Sequence, residues 1–240
     1  MVAWEDRQVK VNKVAGERHL ASQLDVMPRR EVLTDSVYEG IRTLIMNRAL
    51  APGGRINIDE LTREMQVSGA PVRESLVRLE SEGLVTRLPM RGYRVADLLT
   101  EREITELYEL RLLLEPPGAA KAAVNMTREL AACLRDELAT CPEAPDGGNF
   151  GDYKALTLHD ARLHEQILRI AGNGAMLTAF ARTHCHLHFF RLFYNEPFGV
   201  QTIEEHSNLV DALISGKRGA ARAAMARHLE AARDRILGRL

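Results

Sequence analysis

Four side chains distributed over residues 160–228 can act together if the chain brings them close: Asp160, His164, His206 and His228. Asp160 and His164 are four apart, which puts them side by side on one helix face, and Leu163 and Ile167 turn that face toward a core. His206 precedes Leu209, Val210 and Leu213, and His228 lies between Met225 and Ala232 at helical spacing. Imidazoles and a carboxylate converging inside a helical bundle suit a divalent metal such as Zn²⁺ or Ni²⁺. No local motif dictates these separations, so histidines satisfied by hydrogen bonds within a core are the other reading. Arg111 stands in the apolar run Leu110-Arg111-Leu112-Leu113-Leu114. It reads either as an ion-paired or snorkelling cation, or as a guanidinium that grips the carboxylate of a small organic acid. His184-Cys185-His186-Leu187-His188 is crowded by Phe189, Phe190 and Phe193 and reads as pocket lining rather than a ligand set.

The elements that must carry these groups fill residues 98–240, where no strand pattern is visible. Thr100 and Glu103 form a capping-box spacing that opens a helix with Ile104, Leu107, Leu110 and Leu114 inward. Pro116-Pro117 is expected to kink or break it. Further helices are predicted over about 127–140, 150–171, 175–193, 202–215 and 219–238, with Thr202 and Glu205 as a second capping box. CPEAPDGGN (141–149) reads as a loop, and Asn173 reads as a helix-end residue. About six helices of this length predict an antiparallel bundle.

Residues 31–97 follow a different logic. TDSVYEGIRTLIMNRAL forms an apolar helical stripe that APGG ends. Asn57 can cap a short helix, and Gln66-Val67-Ser68 breaks it. PVRESLVRLESEG then makes a second amphipathic helix, with Pro71 in its first turn and Gly83 at its end. Residues 84–88 and 92–95 alternate around Pro89-Met90-Arg91 as a hairpin. Helix, helix, tight turn, helix, hairpin is the order of a winged helix-turn-helix, whose last helix enters a major groove of double-stranded DNA. Arg73 is placed to reach a base edge and Arg78 to lie nearer the phosphates. Arg91 with Gly92 suits close approach at the hairpin tip. The predicted fold is therefore mainly α: a winged head followed by a helical bundle. Residues 1–30 are expected to be a flexible arm.

Composition narrows the partners. The chain has 240 residues, 45% of them hydrophobic and 27% charged, with a formal net charge of −1. That is enough apolar material for a sizeable core and excludes global disorder. Residues 31–97 hold nine arginines against ten acidic residues, so any grip on DNA must be positional. Three cysteines without a CxxC pair argue for reduced thiols. No signal-like or membrane-spanning run is visible, which predicts a soluble, cytoplasmic protein.

The segment PGGRINIDELTREMQVSGAPVRESLVRLESEGLVTRLPMRGYRV resembles the DNA-binding domain of GntR-family bacterial transcription regulators. The resemblance implies Ser68, Arg73, Arg91 and Gly92 as DNA contacts. Gly69-Ala70 depart from the Arg-Thr that the family often carries. Asp160-x3-His164, Glu205-His206 and Met225-x2-His228-Leu229 resemble the FCD effector domain of the FadR-type subfamily, and a count of six helices resembles its VanR-like branch. This implies a metal held by one Asp and three His, Arg111 facing the pocket, a small organic-acid effector, a homodimer on a two-fold operator, and repression relieved by ligand. The competing class is a metal-dependent hydrolase or isomerase built on the bundle, for which no nucleophile–base pair speaks.

Overall fold

A computed structural model describes residues 28–141, 143–144, 150–193 and 199–239. Most of the expected N-terminal arm and of the 141–149 loop lies outside them. The head begins with α1 (Pro28–Met46), earlier than the sequence pattern indicated, and continues through β1 (Arg55–Ile56), α2 (Ile58–Glu64), α3 (Gly69–Ser81), β2 (Val85–Leu88) and β3 (Gly92–Val95). The bundle comprises α4 (Glu101–Val124), α5 (Arg128–Ala139), α6 (Phe150–Ile170), α7 (Gly174–Ala181), α8 (Cys185–Phe193), α9 (Gly199–Ile214) and α10 (Arg218–Leu237).

The head is held by one apolar core. Val37, Ile41 and Ile45 of α1, Leu61 of α2, Val72, Leu76 and Leu79 of α3, and Val85, Tyr93 and Val95 of the hairpin pack together. The Asn57 side chain accepts the backbone N–H groups of Asp59 and Glu60 and so starts α2. Gly83, at φ +73°, turns the chain out of α3 toward β2. The hairpin gains a strand that the sequence pattern did not show. β1 pairs antiparallel with β3, giving the order β1-β3-β2, with Ile56 opposite Tyr93 and Arg87 also opposite Tyr93. Two residues are too few for an alternation signal.

In the bundle the Thr100–Glu103 capping box forms with both of its reciprocal bonds and opens α4. The inward face of α4 is Ile104, Tyr108, Arg111 and Glu115, while Leu110 is exposed and Leu107 and Leu114 are only half-buried. The buried stripe therefore runs through polar residues that a hydrophobic reading leaves out. Pro116-Pro117 does not break the helix, which continues to Val124. Both prolines lack the N–H that would bond the carbonyls of Leu112 and Leu113. The turns on either side pack into the core through Tyr108, Ala119, Ala122 and Ala123, and this packing holds the helix together. At Gly118 an added Cβ would stand 2.5 Å from Leu168 Cδ2, which shows how closely α4 meets α6.

Residues 175–193, expected as one helix, form two. α7 ends at Ala181, and His184 at φ +45° redirects the chain into α8. The bundle thus has seven helices among the described residues, and the six-helix count that resembled the VanR-like branch does not hold. α9 starts at Gly199, so Thr202 is interior and the expected second capping box is absent; Glu205 is used inside the site instead. No described helix is long and apolar enough to cross a membrane.

Candidate metal site and DNA-reading surface

The i, i+4 placement of Asp160 and His164 on α6 brings both into the bundle core, where α9 delivers His206 and α10 delivers His228. One ligand atom from each of the four lies within 4.8 Å of all the others. His164 Nε2 is 3.2 Å from His228 Nε2, and Asp160 Oδ1 is 3.2 Å from His206 Nε2 and 3.7 Å from His164 Nε2.

The outer ring nitrogens are equally constrained. His164 Nδ1 meets Glu115 Oε2, and His228 Nδ1 is 2.9 Å from Glu205 Oε2. A carboxylate only accepts, so both Nδ1 atoms carry hydrogen and donate. His206 Nδ1 is 2.9 Å from His159 Nε2, and His159 Nδ1 is 3.1 Å from Glu137 Oε1. The same logic makes His159 an acceptor toward His206. Each carboxylate is matched by an arginine: Arg111 on Glu115 at 2.5 Å, Arg235 on Glu205 at 2.8 Å, and Arg162 on Glu137 at 3.0 Å. His164, His206 and His228 thus each keep a proton on Nδ1 and turn an Nε2 lone pair inward, an outer-shell pattern typical of metal-binding histidines.

Charges agree with this geometry. Burial pushes the His164 imidazole down to about 3 despite the pull of Glu115, so the ring is neutral. Burial likewise lowers His228. Burial opposes ionisation of Glu115 and Glu205, but Arg111 with His164, and His228 with Arg235, hold the two carboxyls at about 2. Asp160 lies well below the usual carboxylate range: the His186 imidazole beside it overcomes the cost of its burial. Neutral imidazoles and an ionised carboxylate form the donor set that a divalent cation needs. His206 Nε2 is buried and takes no hydrogen bond from the described residues, an orphan that a cation would satisfy. The residues fit a metal.

Sequence reasoning missed the outer residues Glu115, His159, Glu205, Arg235 and His186. His186 lies in the cluster expected only to line a pocket, yet its Nδ1 bonds Asp160 Oδ2. The second Glu–Arg pair was legible only in part, because no spacing links Glu205 to Arg235 across two helices. Arg111 is ion-paired as the simpler reading expected, and it also lines a cavity of about 70 Å³ with Tyr108, Asp160, Phe189, His228 and Arg235.

On the head, Ser68, Arg73, Arg91 and Gly92 are all exposed. Ser68 N-caps α3 without a side-chain cap bond, which leaves its hydroxyl uncommitted to the helix. Arg73 lies over Gly69, whose missing Cβ would sit 3.6 Å from the guanidinium. Gly92 has φ +82°, and a Cβ there would meet nothing within 4 Å. Arg55 of β1 donates to the Arg91 carbonyl at 3.2 Å and braces the wing tip. Arg78, whose side chain is half-exposed, bonds Asp35 at 3.0 Å and lies 3.8 Å over the Tyr38 ring. Arg94 is paired with Asp97 at 3.3 Å, whereas Arg87 is exposed.

A winged helix-turn-helix head joined to a helical bundle with a buried Asp/His₃ cluster is the architecture of a DNA-binding regulator. Residues 33–95 match the bacterial regulatory proteins of the gntR family, and residues 106–231 match the FCD domain. The chain is similar to an HTH-type transcriptional regulator in an unstable DNA locus of Streptomyces ambofaciens, 30% identical over 83% of both chains. It is also similar to the Nta operon transcriptional regulator of Aminobacter aminovorans, 29% identical over 78% of this chain and 86% of that one. The solved structure of McbR/YncC from E. coli superimposes with a TM-score of 0.67 at 22% identity, covering 86% of this chain and 97% of that one. The chain belongs to the GntR family and carries an FCD domain. It is a DNA-binding transcription regulator rather than an enzyme, and nothing supports the hydrolase or isomerase alternative.

Proposed function

We propose that this protein is a cytoplasmic, homodimeric regulator that binds operator DNA through Ser68, Arg73, Arg91 and Gly92 and senses a small organic acid at a divalent metal, Zn²⁺ or Ni²⁺, held by Asp160, His164, His206 and His228. One observation carries the sensing half: three imidazoles, each with its Nδ1 proton committed outward, aim their Nε2 atoms at one another and at an ionised Asp160. Three converging lone pairs and a carboxylate repel one another unless a cation lies between them. When bound, the ion supplies an electrophile for a ligand's carboxylate.

The chain's own residues shape what enters. Tyr108 and Phe189 stack with ring centroids 4.8 Å apart and give the cavity an apolar wall. Arg111 and Arg235 line it as cations already balanced by Glu115 and Glu205, so they orient an anion without adding net charge. An acid bound there favours one arrangement of the dimer over another, and release of a repressor is the default expected outcome. The similarity to the Nta operon transcriptional regulator and to the Uxu operon transcriptional regulator of E. coli supports operon control here as well.

The deciding experiment is metal analysis of protein purified without chelator, followed by thermal-shift screening of organic acids with and without added Zn²⁺. About one metal per chain and an acid-dependent rise in Tm only in the loaded protein are expected. No bound metal at saturating Zn²⁺ would overturn the reading.

A further inference from the structure

Helix α8 has two faces that serve different ends of the molecule. Its inner face carries Cys185, His186, Phe189 and Leu192. His186 bonds the Oδ2 of Asp160, whose other oxygen belongs to the metal cluster, and Phe189 stacks on Tyr108 beside the cavity. Its outer face carries Leu187, His188 and Arg191, and all three touch the head or its connection. Leu187 packs on the apolar core of the head. His188 reaches the turn just past Glu82, the C-cap residue of α3: its Nε2 lies so near that a Cβ on Gly83 would be 3.1 Å away. Arg191 donates to the Ala96 carbonyl at 2.6 Å, on the segment that joins β3 to α4. In return Arg48, just past α1, donates to the carbonyls of Arg191 and Leu192 at 3.2 and 3.1 Å.

We propose that α8 is the element through which occupation of the Asp/His₃ centre reaches the DNA-reading helix, with His186 as the positioning residue on its inner face and His188 and Arg191 as its grip on the head. The proposal rests on the metal reading above. Among the four, Asp160 alone has an outer partner on α8; Glu115, His159 and Glu205 lie on other helices, and these bonds stay within the bundle. A shift of the Asp160 carboxylate on binding a cation therefore pulls on His186 and on the helix that bears it. That helix has room to respond. A cavity of about 210 Å³ borders it, lined by Arg42 of α1, Thr157 and Ala161 of α6, Phe180, His186 and Leu187. A helix beside an open volume gives up fewer packing contacts on moving than one in a close-packed interior. Two discrete positions of α8, each preferred by one state of the centre, are all that such coupling requires.

The test is hydrogen–deuterium exchange on the full chain, stripped by chelator and then saturated with Zn²⁺. In the native protein, Zn²⁺ is expected to slow exchange at least about fivefold, the low end of ordinary allosteric coupling, in three places: the ligand segments, 185–193, and 79–97 of the head. His186→Phe keeps a flat ring without a donor to Asp160; it should retain Zn²⁺ protection in the ligand segments of α9 and α10 and lose it over 79–97. His186→Asn, which can still donate, should restore part of the head response. Arg191→Met should leave 185–189 responsive while uncoupling 94–98. A head response unchanged in His186→Phe, or absent from the native protein while the ligand segments respond, would overturn the proposal. Failure of the ligand segments themselves to respond would instead strike down the metal reading together with it.

Discussion

The head and the bundle solve opposite problems with similar residues. In the head, the buried residues are apolar apart from Arg42 and Ser75, and the residues proposed to meet DNA (Ser68, Arg73, Arg91 and Gly92) stand exposed outside the core. In the bundle, the functional groups are inside the core: Arg111, Glu115, His159, Asp160, His164, His186, His206 and His228 are all buried. The head can therefore lose a functional side chain and keep its fold. The bundle cannot, because each buried charge there depends on a partner for its stability. A protein that reads DNA needs cations in water, where they meet phosphate. A protein that holds a metal and an acid needs them dry, where charge interactions are strong.

The largest effect that would sharpen this contrast is expected from Glu115→Ala. It leaves Arg111 buried without its carboxylate and His164 without its acceptor, and should cost about 3–5 kcal/mol in urea unfolding. A loss below about 1 kcal/mol would mean that the buried network contributes little to the bundle. Acid titration probes the same groups. His164, depressed by burial to about 3, is neutral in the folded chain, whereas the unfolded chain takes up a proton near the ordinary imidazole value. Stability is therefore lost as pH falls from about 6.5 toward 3. Glu115 and Glu205, held at about 2, contribute stability that is full above the usual carboxylate range and is lost as pH falls from about 4.5 toward 2. The Tm of chelator-stripped protein should fall continuously from pH 7 to pH 3. A flat Tm over that range would contradict the assigned protonation states.

Effects in the head should be smaller and confined to DNA. Arg73→Ala is expected to weaken operator binding by about 1–3 kcal/mol, measured by fluorescence anisotropy, with unfolding unchanged within about 0.5 kcal/mol. Equal losses in stability and binding would erase the contrast. At the small end, Gly92→Ala should cost about 1 kcal/mol of stability through its positive φ alone, since a Cβ there clashes with nothing in the protein. A further loss of DNA affinity beyond that would locate the duplex close against the wing tip.

The legibility of the two regions follows the same divide. The head was readable because its signals are local. The Asn57 cap, Pro71 in the first turn of α3, Gly83 after it and the alternation across the hairpin each act within a few residues, and only the two-residue β1 escaped. Spacing put Asp160 and His164 on one helix face and His206 and His228 among apolar residues, and the resemblance to the FCD domain joined the four into one set. Their outer partners were not. Glu115, His159, Glu205 and Arg235 gain meaning only when α4, α6, α9 and α10 come together, and His186 sat in a run of histidines that spacing could not resolve. The continuity of α4 through Pro116-Pro117 and the break at His184 were likewise settled by packing rather than by local preference.

Sequence alone thus indicated the winged head and the helical bundle, because caps, turns and helical periodicity act over a few residues, and the family resemblance singled out Asp160, His164, His206 and His228. Tertiary structure decided the tautomers of the histidines, the arginine behind each carboxylate and the contacts of α8 with both the cluster and the head, because these depend on distances between helices far apart in the chain.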